Sequence, residues 1–214
     1  MSLLMMLDYA GVALFAATGG LAASRKQLDL IGFLFFSAAT GVGGGTLRDL
    51  VLGAPVFWVA NPTYLLICVV VGVFAFFTAH QVEWRYRLLI WLDAIGLSAY
   101  TVMGAAKGLA ITGSPTIAVV TGTMTATFGG ILRDLIANEP SILLRPEIYV
   151  TAALAGASAF TAVELLDLPT GLSSAAGIVI AFALRGGALH YGWTLPRYKA
   201  RPGRPLEEAL KKRK

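Results

Sequence analysis

Two stretches decide the fold: Gly41-Val42-Gly43-Gly44-Gly45-Thr46-Leu47-Arg48-Asp49-Leu50 and, further along the chain, Thr127-Phe128-Gly129-Gly130-Ile131-Leu132-Arg133-Asp134-Leu135. Aligned on their Gly-Gly and Arg-Asp pairs, they stand 85 residues apart. The same offset links Asp8 to Asp93, Gly11 to Gly96, Gly19 to Gly104, Pro55 to Pro140 and Tyr64 to Tyr149. With 24 glycines in the chain, a few coincident glycines mean little. Arg-Asp pairs and prolines held in one register mean a repeat.

Apolar runs of about 17–25 residues, enough to cross a bilayer, surround these motifs at 3–23, 30–52, 62–79, 88–109, 116–137, 148–166 and 172–189. The sequence therefore predicts an all-α membrane protein with seven spans. Each repeat unit holds three of them. Because three is odd, the second unit must cross in the opposite sense, which makes a three-plus-three inverted-topology repeat with an added seventh helix. The expected organisation is a first unit at 1–87, a second at 88–166, the seventh helix at 167–196 and a tail at 197–214. Inverted repeats place a substrate or ion path near the bilayer midplane, between the repeats.

Composition agrees. Hydrophobic residues make up 57% of the 214 and charged residues only 14%, with mean hydropathy +0.72. A water-facing surface needs roughly 25% charged residues, so a soluble enzyme is excluded. The net charge of +5 is local: the tail from Arg197 onward carries +6 and the remainder −1. Such a tail reads as a cytoplasmic end lying on anionic lipid rather than a nucleic-acid patch. Arg25, Lys26, Arg85, Arg87 and Arg145 all fall on the tail's side of the membrane. The positive-inside rule then puts the C-terminus in the cytoplasm, as in a bacterial inner membrane. The N-terminal run has no basic start and carries Asp8, so it reads as a retained helix rather than a cleaved leader. Cys68 is the sole cysteine and reads as core filler.

The glycines admit two readings. Each costs a helix on the order of 1 kcal/mol relative to alanine, so Gly43, Gly44, Gly45, Gly129 and Gly130 could break helices two and five, freeing carbonyls for a dehydrating cation. They could instead let helices pack closely through small residues. Arg48, Asp49, Arg133 and Asp134 each cost about 2.5–3.5 kcal/mol near a helix centre. Neighbours on a helix point about a quarter-turn apart, so the expected pairing crosses the repeats, Arg48 with Asp134 and Asp49 with Arg133. Asp8 and Asp93 are either cation-attracting mouths or interfacial groups. Lys107, whose counterpart is Ala22, either snorkels or serves as a gating charge. Ser37, Thr40, Thr46, Thr121, Thr123, Thr125 and Thr127 either line a polar path or bond back to their own helices.

Enzyme motifs are missing. His80 and His190 belong to no His-Glu-x-x-His, Ser158 lacks its Gly-x-Ser-Gly, Asp93 lacks a Gly-x-Gly-Asp partner, and no nucleotide loop follows the glycines.

Together, the seven spans, the inverted repeat and the doubled glycine/Arg-Asp motif resemble the prokaryotic branch of the trimeric intracellular cation (TRIC) channel family, over roughly residues 3–189. The resemblance implies a homotrimer with one hourglass pore per protomer, passing monovalent cations, chiefly K⁺ and also Na⁺, with no cofactor and no bound metal. It implies kinks at Gly43–Gly45 and Gly129–Gly130, and it matches Lys107 to a basic gating residue of animal members. Members of the same branch also carry a glycine-transporter label, and broken-helix inverted repeats suit a small-solute transporter equally well.

Overall fold

The computed structural model describes residues 3–82, 84–142 and 147–196. Arg145 and the basic tail at 197–214 lie outside the described residues. Within them the chain is helical: α1 (Leu3–Arg25), α2 (Leu30–Val51), the one-turn α3 (Phe57–Ala60), α4 (Thr63–Thr78), α5 (Arg85–Thr112), α6 (Pro115–Ile136), α7 (Val150–Glu164) and α8 (Thr170–Tyr191). A 3₁₀ turn at Ala79–Gln81 and an isolated antiparallel bridge between Glu147 and Thr194 accompany the helices.

The helix starts are written locally. The Asp29 carboxylate accepts the Gly32 N–H at 2.8 Å to cap α2, and Ser114 caps α6 with Pro115 as its first residue. At the far ends, α5 and α8 stop at Gly113 and Gly192, whose φ of +63° and +70° suits glycine. Among the described residues, six helices are long and apolar enough to span a membrane; α7, at the expected sixth span, is a shorter apolar helix of 15 residues. Outward-facing Phe35, Leu66, Phe74 and Val179 stay exposed in the isolated chain, as residues that meet lipid would.

Packing recurs at the 85-residue offset. A Cβ on Gly19 would overlap the Phe36 carbonyl oxygen, and one on Gly104 would come within 2.7 Å of the Thr121 carbonyl oxygen. Both α1–α2 and α5–α6 therefore close backbone to backbone at matching points. Between the units, Phe15 stacks on Tyr100 with ring centroids 5.3 Å apart and planes at 24°. These two residues are themselves 85 apart, and equivalent residues meet only on a twofold axis. Gly11 makes room for the Tyr100 ring and Gly96 for the Phe15 ring.

Helices α2 and α6 cross on the same axis. A Cβ on Gly44 would overlap the Thr125 carbonyl oxygen, and one on Gly129 would approach the Thr40 carbonyl oxygen to 2.7 Å. The contacts run in opposite senses along the two chains, so the helices are antiparallel. Both are helical without interruption through their glycines. The expected break is absent. A helix missing Cβ atoms can keep its own hydrogen-bond ladder and use the space to seat another backbone, and here it does so. Substituting Gly44→Ala should lower the thermal unfolding midpoint of the detergent-solubilised protein, corresponding to about 1–3 kcal/mol of overpacking. Gly171→Ala, with nothing near its added methyl, should leave the midpoint unchanged or slightly raised.

Candidate functional site

Beyond the crossing, each glycine helix ends in its Arg-Asp pair, and the two ends are built alike. Asp49 Oδ2 accepts the Phe57 N–H at 2.9 Å, while Asp134 Oδ2 accepts the Ile142 N–H at 3.0 Å. The backbone turns also match: Ala54 N–H donates to the Asp49 carbonyl and Glu139 N–H to the Asp134 carbonyl, both at 2.9 Å. Gly53 and Asn138 adopt positive φ at equivalent places. Each aspartate thus fastens the returning chain to the helix it ends.

The expected cross-repeat pairs do not form. Arg48 Nε donates to Asp49 Oδ1 at 2.7 Å, and Arg133 contacts Asp134 Oδ1 through Nε at 3.0 Å and Nη2 at 2.9 Å. Antiparallel crossing at Gly44 and Gly129 explains this. With Gly44 level with Thr125 and Gly129 level with Thr40, Arg133 falls level with Phe36 of α2, twelve residues from Arg48, which separates the pairs by about 18 Å at 1.5 Å per residue. The flexible arginine stem then covers the quarter-turn to the neighbouring carboxylate.

Charge is divided unequally between the ends. At the Asp49 end one carboxylate serves two cations, because Lys107 Nζ reaches Asp49 Oδ1 at 2.8 Å from the other repeat. Lys107 is therefore tied inward rather than snorkelling. At the Asp134 end one guanidinium serves two carboxylates, with Arg133 Nη1 on Asp93 Oδ1 at 2.8 Å. Asp93 is fully buried inside the bundle and Asp8 nearly so. Asp8 Oδ2 accepts the Tyr64 hydroxyl at 2.7 Å, whereas the equivalent Tyr149 hydroxyl and Asp93 Oδ2 have no hydrogen-bond partner among the described residues. The same Asp and Tyr at the same offset thus adopt two hydrogen-bond arrangements.

The hydroxyls mostly turn back. Thr46, Thr123, Thr125 and Thr127 donate to the carbonyls of Val42, Val119, Thr121 and Thr123, each four residues earlier. Thr121 also reaches the Gly104 carbonyl on α5. Thr46 accepts the Trp58 indole N–H at 2.9 Å. Gly43 faces Leu132, Gly45 the Phe57 ring, and Gly130 the Tyr149 hydroxyl.

Sequence reasoning missed Arg185. This arginine of α8 has no exposed surface, bonds Glu147 at 2.9 Å and the Ile148 carbonyl at 3.3 Å, and lies 5.1 Å over the Tyr149 ring. Its charge inside an apolar span was the available signal.

A bundle of antiparallel repeats, closed at a glycine crossing and flanked by buried ion clusters, defines an integral membrane protein of the inverted-repeat class. A family model described as "Glycine transporter" matches residues 5–80 and again 90–164, one match in each unit. The TRIC trimeric intracellular cation channel orthologue from Rhodobacter sphaeroides superposes with TM-score 0.88 at 50% identity, covering 90% of this chain and 100% of that one. A prokaryotic TRIC channel crystallised in 0.5 M KCl gives TM-score 0.83 at 27% identity, over 90% of this chain and 98% of the other. The UPF0126 inner membrane protein YadS of Escherichia coli strain K12 is 36% identical over 198 residues, covering 90% of this chain and 94% of the relative. The chain belongs to the prokaryotic TRIC channel family. It is a multi-pass bacterial membrane protein and not an enzyme.

The unequal charge sharing can be measured. Arg133→Met leaves Asp93 and Asp134 buried without their guanidinium and should cost about 3–5 kcal/mol. Lys107→Met leaves Asp49 with Arg48 and the Phe57 N–H and should cost clearly less. Thermal unfolding of both variants, compared in one detergent, checks the order; equal losses would contradict it.

Proposed function

We propose that this protein is a cation channel of the inner membrane that passes K⁺ and also Na⁺, working as a homotrimer with one path in each protomer. The observation that carries this reading is the 50% identity and TM-score of 0.88 to the Rhodobacter sphaeroides TRIC channel over nearly the whole chain. The path runs between the repeats, past the α2–α6 crossing, with Gly43, Gly44, Gly45, Thr46, Gly129, Gly130, Thr123 and Thr127 beside it. At the crossing Gly44 and Gly129 seat the Thr125 and Thr40 carbonyls, so the two backbones meet directly. Separating α2 from α6 there would expose the Thr40 and Thr125 carbonyl oxygens, dipoles suited to an ion that has shed water.

The Arg-Asp clusters guard the two ends. Arg48 with Asp49 and Lys107 holds one, Arg133 with Asp93 and Asp134 the other, and Asp8 sits beside the first. Lys107, which joins α5 to the end of α2, is the gating charge in this reading. Its side chain keeps 30% of its surface exposed while Asp49 keeps none, so the lysine is the accessible half of the pair. The tail-bearing end faces the cytoplasm, with the basic segment on anionic lipid.

The test is a planar bilayer recording of purified protein under a KCl gradient. Discrete steps reversing near the potassium equilibrium potential are expected, from particles three times the chain's 22.5 kDa. The family description as a glycine transporter favours a second reading. A silent bilayer together with saturable glycine uptake into liposomes would establish that reading and overturn the channel.

A further inference from the structure

Glu139 belongs to neither Arg-Asp cluster, yet it joins the two repeats at the Asp134 end. Its carboxylate takes Arg25 Nη1 at 2.9 Å on Oε2 and Lys26 Nζ at 3.6 Å on Oε1. Arg25 is the last residue of α1, and its guanidinium also lies 4.8 Å over the ring of Tyr86 at the start of α5. One carboxylate after α6 therefore ties down the ends of α1 and α5. Beneath it is a cavity of about 10 Å³ lined by Arg25 and Glu139 above and Arg133 and Asp134 below. That is room for about one water molecule and too little for a hydrated ion.

The turn itself does not demand this charge. At the opposite end the same turn forms around Ala54, whose N–H makes the same bond to the Asp49 carbonyl. The counterparts of Arg25 and Lys26 at the 85-residue offset are Ala110 and Ile111. The three charges are thus an addition to one end only. They lie where the ion cluster of α6 would meet solvent, and the Glu139 side chain is 17% exposed against 30% for Arg25.

We propose that Glu139 with Arg25 and Lys26 forms a one-sided electrostatic latch that holds the Asp134 end of the path shut, opening when the carboxylate lets go of α1. The proposal rests on the channel reading and names a gate on the cytoplasmic face distinct from Lys107. Partly exposed pairs of this kind shift a closed–open equilibrium by about two- to fivefold each, a range suited to a contact that must release.

Single-channel recording of the full-length protein decides it. Glu139→Gln should raise open probability by about two- to tenfold, with unitary conductance and reversal potential unchanged. Arg25→Glu should do the same, and the double variant Arg25→Glu with Glu139→Arg should return open probability towards wild type. Equal thermal midpoints among the variants show that the fold is not what changed. The double exchange distinguishes a latch from a merely structural contact. Wild-type current with an unaltered open probability in Glu139→Gln overturns the latch alone. Wild-type protein and Glu139→Gln both silent, with saturable glycine uptake by both, would overturn the channel reading and the latch together.

Discussion

Helices α2 and α6 touch backbone to backbone at Gly44 and Gly129, and most of the architecture follows from that contact. Two helix axes can come this close only where a small residue on each seats the other's backbone, so the glycines fix the point of crossing. Because each glycine faces the carbonyl of the residue equivalent to the other's partner, Thr125 and Thr40, the contact generates its own twofold relation. Phe15 and Tyr100 then stack on that axis, and the α1–α2 and α5–α6 pairs close at matching glycines. The axis is thus held by backbone contact at the glycines and by the buried Phe15–Tyr100 stack beside it.

Crossing antiparallel also dictates where the charges go. The Arg-Asp pairs are carried to opposite ends, which forbids the exchange between repeats that charge balance alone would suggest. Each aspartate instead binds its own arginine and the N–H of the chain returning after the helix. Burial makes these contacts costly to break from one side only, so the clusters work as fixed posts. Links between the repeats fall to residues outside the repeated pattern: Lys107 at one end, Glu139 with Arg25 and Lys26 at the other. The repeat supplies the frame, and its departures from symmetry supply the ion pairs between its halves.

Much of this was legible in the sequence. The 85-residue offset, the spans and the inverted sense follow from Asp8/Asp93, Arg48/Arg133 and Pro55/Pro140, because covalent order and hydrophobic length are one-dimensional properties. The fate of the glycines was not, since a helix break and a close crossing have the same composition, and only a facing backbone distinguishes them. The arginine partners were misread for a related reason. A quarter-turn between adjacent residues argues against pairing for short side chains, but an arginine at a helix end reaches round it. Tyr64 was visible as one half of a repeated tyrosine, yet its hydrogen bond to Asp8 depends on how α1 meets α4. Arg185 stood alone in an apolar helix, and its role became visible only when Glu147 and Tyr149 arrived beside it.

The central claim is that each protomer carries its own ion path between two charged ends, across the α2–α6 crossing. Crystals soaked in thallium, a heavy substitute for potassium, test it through an anomalous difference map. The account predicts thallium peaks inside every protomer, between the Asp49 and Asp134 clusters and beside Gly44 and Gly129. Peaks confined to an axis between protomers, with none within them, would contradict it.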